Sequence, residues 1–355
     1  MGVKIQNRPL QRLGDMGNGS GSVHVDYGDT VVHPRNPVEE PIGLLIRLLW
    51  VISSPVLAVA LVIRVIAALL VIFVFLPICM WVPRCVVFCM LPCFARIIYF
   101  SFGVYPGMIE IRGQQADVPV MVVAPHSGAV ELLFGMYFCR PMPKAVMMET
   151  YTKLPIIGYF FRLLGGLAVP LPAAGTKAEA QAEAQREQQQ QQQSTAEDPE
   201  NAAIAATPKK PTRAAAIREA IKEHKSQWRP GMPAIGIAPE GTTTNGRVLI
   251  KFFTGAFEGG GRVQPVLIQY PYVYWNATAF IDGGFGKHIR NLLLNPWQRV
   301  VVTFLPATEP AAEEEAEAAV YAERVRRDMG AAAGLPLSDY TAKMLRDEDR
   351  KHVAL

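Results

Sequence analysis

The chain has 355 residues, half of them apolar, and a formal net charge of +4. That length holds one domain of catalytic size plus a membrane segment and tails, and so small a net charge makes no case for nucleic acid, while a mild basic balance suits anionic membrane surfaces. Five cysteines in a chain this long do not make a disulfide framework, and no Cys-x2-Cys pair with histidine partners argues for zinc.

Residues 1–41 are polar, rich in Gly, Asp and Asn, and read as a loosely packed arm with no cleavable signal pattern. The next stretch, 42–81, is apolar almost throughout, with Arg47 and Arg64 its only charges. A single span needs about 20 apolar residues, so this run is long enough for two, divided at Pro55 and Arg64. Residues 65–81 are the stronger element, and 44–63 read as a second span or one leg of a re-entrant hairpin. A charge at mid-bilayer is costly, which predicts Arg64 near an interface or snorkelling to one. The shorter stretch 86–102 carries Arg96 and is predicted to lie in the interface or to pack on the following domain. Arg84, Arg96 and Arg112 follow the spans and place the rest of the chain in the cytosol by the positive-inside rule. Cys79, Cys85, Cys89 and Cys93 fall in or beside this region and read as small buried hydrophobes. The other reading is S-acylation, because Cys85, Cys89 and Cys93 recur every four residues.

From residue 103 strand and helix patterns alternate, which predicts α/β layers over 103–340. The valine-rich run 118–124 is a buried strand, followed by a helix over 128–138, a strand over 144–148, a helix over 156–164 and a strand over 167–171. Residues 173–213 are of low complexity, with a run of glutamines over 188–193, and read as an inserted loop. A helix over 214–224, strands over 234–238, 263–269 and 300–305, and a helix over 311–329 complete the domain, before a tail over 341–355.

Two short stretches carry polar chemistry at the ends of buried strands, where α/β proteins build their sites. The first is Pro125-His126-Ser127-Gly128 with Glu131 at the start of the next helix. A carboxylate five residues on, across a turn, can reach back to the imidazole, fix its tautomer and stabilise its charged form. A histidine so held is suited to taking a proton from a hydroxyl at neutral pH. On spacing alone, a turn histidine beside a solvated glutamate is the simpler reading. The second stretch is Pro239-Glu240-Gly241-Thr242-Thr243-Thr244-Asn245-Gly246. Its glycines allow close backbone approach and its side chains suit a phosphate or glycerol oxygen, although Asn-Gly is also a common turn signal.

Both motifs, in this order, behind an apolar anchor, resemble the glycerolipid acyltransferase superfamily. The finer stretches 153–158, 254–257, 265–272, 304–306 and 321–329 are similar to its lysophosphatidylcholine and lysophosphatidylethanolamine acyltransferase branch. The resemblance implies a layered sheet with flanking helices behind a hydrophobic N-terminal membrane segment. It implies His126 and Glu131 as the catalytic pair, and Glu240, Gly241, Thr242 and Thr243 as acceptor-binding residues. Acyl-CoA would be the co-substrate, a lysophospholipid the acceptor and a bilayer the setting, at the endoplasmic reticulum, with no metal or bound prosthetic group. Lysophosphatidic acid or glycerol-3-phosphate are the other acceptors, and a catalytically silent membrane scaffold of the same fold is the rival reading. Four positions depart from the superfamily pattern: Glu131 replaces the usual Asp, Met148 and Phe253 stand where Lys is usual, and Leu171 stands where Arg is usual. Lys251, two positions from Phe253 and so on the same face of a strand, is the candidate replacement there, and Arg162 or Lys177 the candidates for Leu171.

Overall fold

The computed structural model of the protein describes residues 44–128, 130–153, 155–169, 213–271, 280, 285–315, 317–345 and 347. The polar arm, nearly all of the low-complexity insertion, Leu171, Lys177 and most of the C-terminal tail lie outside them.

The apolar segment is helical. Helix α1, Leu44–Leu70, runs unbroken through Pro55 and Arg64. It widens into a π-helical turn, Val71–Phe75, and continues as α2, Leu76–Trp81. The predicted break at Pro55 or Arg64 is therefore displaced to the turn before Pro77, whose missing N–H leaves the carbonyl four residues earlier without its helical partner. After Val82 and Pro83 the chain reverses into α3, Arg84–Ser101, which packs on α1. By length and composition, Pro55–Cys79 and Arg84–Ser101 are each apolar enough to cross a membrane.

Arg64 does not snorkel. Its side chain is 2% exposed, and its guanidinium donates to the Ser101 carbonyl through Nε at 3.0 Å and Nη2 at 2.9 Å. It also donates to the carbonyls of Leu292 at 3.1 Å and Pro296 at 3.4 Å. Ser101 and Leu292 lie in the last turns of two helices, where carbonyls lack intrahelical donors and the helix dipole is negative. Those carbonyls compensate the charge inside the protein. Close approach is enforced beside it: a Cβ on Gly103 would lie 2.7 Å from the Asn295 carbonyl oxygen.

The face of α3 bearing Val87, Leu91, Phe94, Ala95 and Tyr99 is buried against the domain. Phe94 packs between Phe75 and Phe160 with its ring tilted to both, centroids 5.1 and 4.7 Å away. Cys85, Cys89 and Cys93 are exposed on the opposite side, whereas Cys79 and Cys139 are buried. The expectation of buried thiols thus holds for Cys79 and is corrected for the other three. The helical period that buries Val87 and Leu91 turns positions two residues away outward.

The domain follows as β1 (Ile109–Arg112), β2 (Val120–Ala124), α4 (Glu131–Phe138), β3 (Lys144–Met148), α5 (Glu149–Thr152), α6 (Pro155–Leu163) and β4 (Leu167–Val169). It continues with α7 (Arg213–Gln227), β5 (Ile235–Ile237), β6 (Val263–Gln269), α8 (Phe285–Leu294), β7 (Val300–Phe304), α9 (Ala312–Glu315) and α10 (Ala318–Ala333). The strands form a seven-stranded sheet in the order β1-β7-β6-β2-β5-β3-β4. All neighbours are parallel except β6 and β7. A sheet covered on both faces explains why β2 is apolar at every position. Val120, Val122 and Ala124 face the layer that holds Ile221, Tyr321 and Val325, while Met121 faces the layer that holds Leu91, Phe134 and Val302. Each such fully buried aliphatic side chain contributes about 1.5–3 kcal/mol. The single helix expected over 311–329 is two helices, because Glu317 adopts φ −123° and ψ 85° between them. Glu314 accepts from the Ala311 amide at 2.8 Å and from Arg324 Nε at 2.7 Å, fixing that joint.

Candidate active site

The layered sheet brings the carboxyl ends of β2, β5 and β6 together, and the first motif leaves β2 directly. Residues 125–130 turn the chain and α4 begins at Glu131. From this first helical position the Glu131 side chain reaches back over the turn. Its Oε1 accepts the amide hydrogens of Ser127 at 2.8 Å and Gly128 at 3.0 Å. Its Oε2 lies 2.6 Å from His126 Nδ1. The carboxylate keeps the proton on Nδ1, which leaves the Nε2 lone pair as the basic site. The His126 side chain is 28% exposed and that of Glu131 is 8% exposed, so the ring stays accessible while its partner is shielded. Burial alone would lower the imidazole pKa. The Glu131 charge and hydrogen bond, with the Glu240 charge behind them, outweigh it, and the net direction is upward.

The second motif lies against the first. Glu240 is fully buried: Oε2 accepts the His126 amide hydrogen at 2.5 Å and Oε1 that of Ile250 at 3.2 Å. Burial pushes its pKa from 4.5 up to about 7, against the two amides and the His126 charge. The Thr244 amide donates to the His126 carbonyl at 2.8 Å. Thr243 Oγ1 donates to the Phe280 carbonyl at 2.5 Å, and the Phe280 amide donates to the Ser127 carbonyl at 2.7 Å.

Residues 109–269 match the family model described as Acyltransferase. The chain is 29% identical over 258 residues to a lysophosphatidylcholine acyltransferase of Drosophila melanogaster, covering 71% of this chain and 40% of that protein. It is 30% identical over 230 residues to the lysophospholipid acyltransferase LPEAT1 of Arabidopsis thaliana, covering 65% and 48%. To lysophosphatidylcholine acyltransferase 1 of Mus musculus it is 29% identical over 269 residues, covering 75% and 42%. Residues 109–269 thus form an acyltransferase-family domain, and the chain is similar over that region and beyond it to lysophospholipid acyltransferases. It spans under half the length of these curated relatives. Among solved structures, the 1-acyl-sn-glycerophosphate (LPA) acyltransferase PlsC of Thermotoga maritima aligns over 79% of this chain and 98% of that chain, with a TM-score of 0.44 and 16% identity.

Of the residues that the superfamily resemblance singles out, His126, Glu131, Glu240 and Thr243 meet at the carboxyl end of β2 and β5. Thr242 is half-buried on the same turn. Gly241, at φ +64°, is where Phe253 packs: a Cβ there would lie 2.2 Å from the Phe253 ring. Lys251 is placed elsewhere. Its Nζ lies 3.3 Å from Asp339 in a cleft of about 350 Å³ formed with Phe252, Thr254, Ala322, Glu323 and Arg326, on the α10 side. Residues 251–253 belong to no strand of the sheet, so the alternation that placed Lys251 and Phe253 on one face does not apply. Arg162, in the last turn of α6, is exposed.

Other superfamily-like stretches are structural. Phe257 is buried edge-on to Tyr321, ring centroids 5.2 Å apart, and Arg326 donates to the Leu249 and Ser338 carbonyls. Contacts absent from the sequence reading are backbone groups, those of Ser127, Gly128, Ile250 and Phe280, which no residue type advertises. Tyr270, in the superfamily-like stretch 265–272, is buried just beyond β6. Its hydroxyl has no hydrogen-bond partner among the described residues, and burial followed by the Glu131 charge keeps it protonated.

Proposed function

We propose that the protein is an acyl-CoA-dependent O-acyltransferase of lysophospholipids, with lysophosphatidylcholine or lysophosphatidylethanolamine as acceptor, at the cytosolic face of the endoplasmic reticulum membrane. One observation carries the reading: His126 Nδ1 sits 2.6 Å from a shielded carboxylate, which leaves Nε2 as a base on an accessible ring. In the reaction Nε2 takes the proton of the acceptor hydroxyl as that oxygen attacks the thioester carbonyl. The new C–O bond forms and the C–S bond breaks. Coenzyme A leaves as a thiolate and collects the proton from the imidazolium. Glu131 holds the Nδ1 proton throughout and stabilises the transient positive charge. The Ser127 and Gly128 amides are engaged by Glu131, so the oxyanion takes its donors from other groups. The two apolar helical stretches supply the bilayer attachment that a lipid acceptor requires.

The test is an acceptor panel. Membranes carrying the protein receive one labelled acyl-CoA and, in separate reactions, each lysophospholipid, lysophosphatidic acid and glycerol-3-phosphate. Labelled phosphatidylcholine or phosphatidylethanolamine is expected, reduced about 10²–10⁴-fold in His126→Ala. Near-normal transfer by His126→Ala removes the assigned base, and no product with any acceptor removes the enzyme.

A further inference from the structure

Two polar side chains of the second motif, Glu240 and Thr243, are engaged within the protein. Glu240 has no exposed surface, and each of its oxygens already accepts an amide hydrogen, one from His126 and one from Ile250. An acceptor phosphate or glycerol oxygen would have to displace one of those amides to reach it. The Thr243 hydroxyl is directed at the Phe280 carbonyl, and Phe280 in turn donates to the Ser127 carbonyl. Thr244 completes the arrangement through its amide to the His126 carbonyl. The peptide units at His126 and Ser127 are thus held from the second motif on both sides: the His126 N–H by Glu240, the His126 carbonyl by Thr244, and the Ser127 carbonyl through Phe280 by Thr243. Asn245-Gly246 closes against the same turn, since a Cβ on Gly246 would lie 2.6 Å from Ser127 Oγ.

We infer that Glu240 and Thr243 are positioning residues that fix the backbone of the His126 turn, rather than residues that bind the acceptor. Glu131 orients the imidazole from its own side of the turn, and its reach is set by where the backbone of residues 126–128 stands. The two motifs are one device: β2 presents the base, β5 presents the brace. This rests on His126 being the base in the proposed reaction.

The two roles predict different kinetics. Loss of an acceptor contact raises acceptor KM. Loss of a brace lowers kcat and leaves acceptor KM in place, because a misplacement of about 1 Å at a reacting group costs on the order of 10²-fold in rate. Glu240→Gln is the sharpest variant: both partners of the carboxylate are N–H donors, and a carboxamide can accept from only one of them. The expected result in membranes is a kcat lower by about 10–10²-fold with acceptor KM unchanged. Thr243→Val, which loses one hydrogen bond, is expected to lower kcat by about 3–10-fold, again without a KM change. The acid limb of kcat/KM should also move to lower pH in Glu240→Gln, because the Glu240 charge helps to hold the His126 proton. Thr243→Val, which keeps the Glu240 charge, should leave that limb in place.

If wild type transfers acyl groups and Glu240→Gln raises acceptor KM at unchanged kcat, the brace is wrong and the acyltransferase reading stands. If Glu240→Gln melts in the assay range, Thr243→Val decides by the same criterion. If wild type is inactive with every acceptor, the reading falls and takes the brace with it.

Discussion

Glu131 Oε2 stands 2.6 Å from His126 Nδ1 although Glu131 is one methylene longer than the aspartate usual at this place. The extra length is taken up by the start of α4, where the carboxylate also gathers the Ser127 and Gly128 amides. This backbone is set for Glu. Shortening the side chain therefore pulls the carboxylate away from three donors. Glu131→Asp should lower kcat, by less than Glu131→Gln, which removes the charge that stabilises the imidazolium. The Gln variant should lose about 10²-fold or more. Transfer rates under saturating acyl-CoA measure both, and an Asp variant faster than wild type would contradict the fitted geometry.

The pKa of His126 is raised, as is that of Glu240, from 4.5 to about 7. Both groups therefore hold protons more tightly folded than unfolded. Each contributes stability that is complete below its ordinary pKa and is lost as pH rises through the folded value. For Glu240 that window runs from about 4.5 to about 7. For His126 it opens at about 6.5 and extends upward. The Tm of the detergent-solubilised protein should fall as pH climbs through both windows, and Glu240→Gln should flatten the lower one. A wild-type Tm that rises across the lower window would show that the carboxyl is not destabilised by burial.

The parts of the fold legible in the sequence were those with a strong period or a strong prohibition. The apolar run over β2 had to be a strand covered on both faces, and the strand-to-turn transition at Pro125 located His126. Arg64 was misjudged because hydropathy treats a charge in an apolar run as facing lipid or water. The carbonyls of Ser101, Leu292 and Pro296 that receive it come from up to 232 residues away. Lys251 was misplaced for a related reason: alternation holds within a strand, and 251–253 is not one. Glu240 was found, but its inward orientation depends on the amides of His126 and Ile250, 114 and 10 residues away.

Arg64 ties α1 to the C-terminal turns of α3 and α8, and its removal should be felt across the whole N-terminal segment. Arg64→Met keeps the apolar stem but leaves the Ser101, Leu292 and Pro296 carbonyls without this donor. Each buried polar group left unpaired costs about 1–3 kcal/mol, so a loss of about 3 kcal/mol or more is expected. Arg64→Lys, with one ammonium in place of a planar fork, should recover only part of it. Thermal melts of the detergent-solubilised protein measure this. A Met variant as stable as wild type would mean that the buried charge is not a net stabiliser.

Phe253 stands where the superfamily usually carries Lys, and its ring lies on Gly241 at the edge of the second motif. Nothing larger than hydrogen fits at Gly241 while the ring is there, and φ +64° independently disfavours a side chain. Gly241→Ala should therefore destabilise by more in wild type than in Phe253→Ala, where only the backbone strain of about 1 kcal/mol remains. Replacing the ring by a cation tests its functional counterpart. In Phe253→Lys the stem can follow the path of the ring over Gly241, which brings an ammonium to the turn that bears Thr242. A partly exposed charge pair is worth about 0.2–1 kcal/mol, so KM for an anionic acceptor such as lysophosphatidic acid should fall only about 2–5-fold relative to lysophosphatidylcholine. Equal KM ratios in wild type and Phe253→Lys would place the acceptor's phosphate away from this edge of the site.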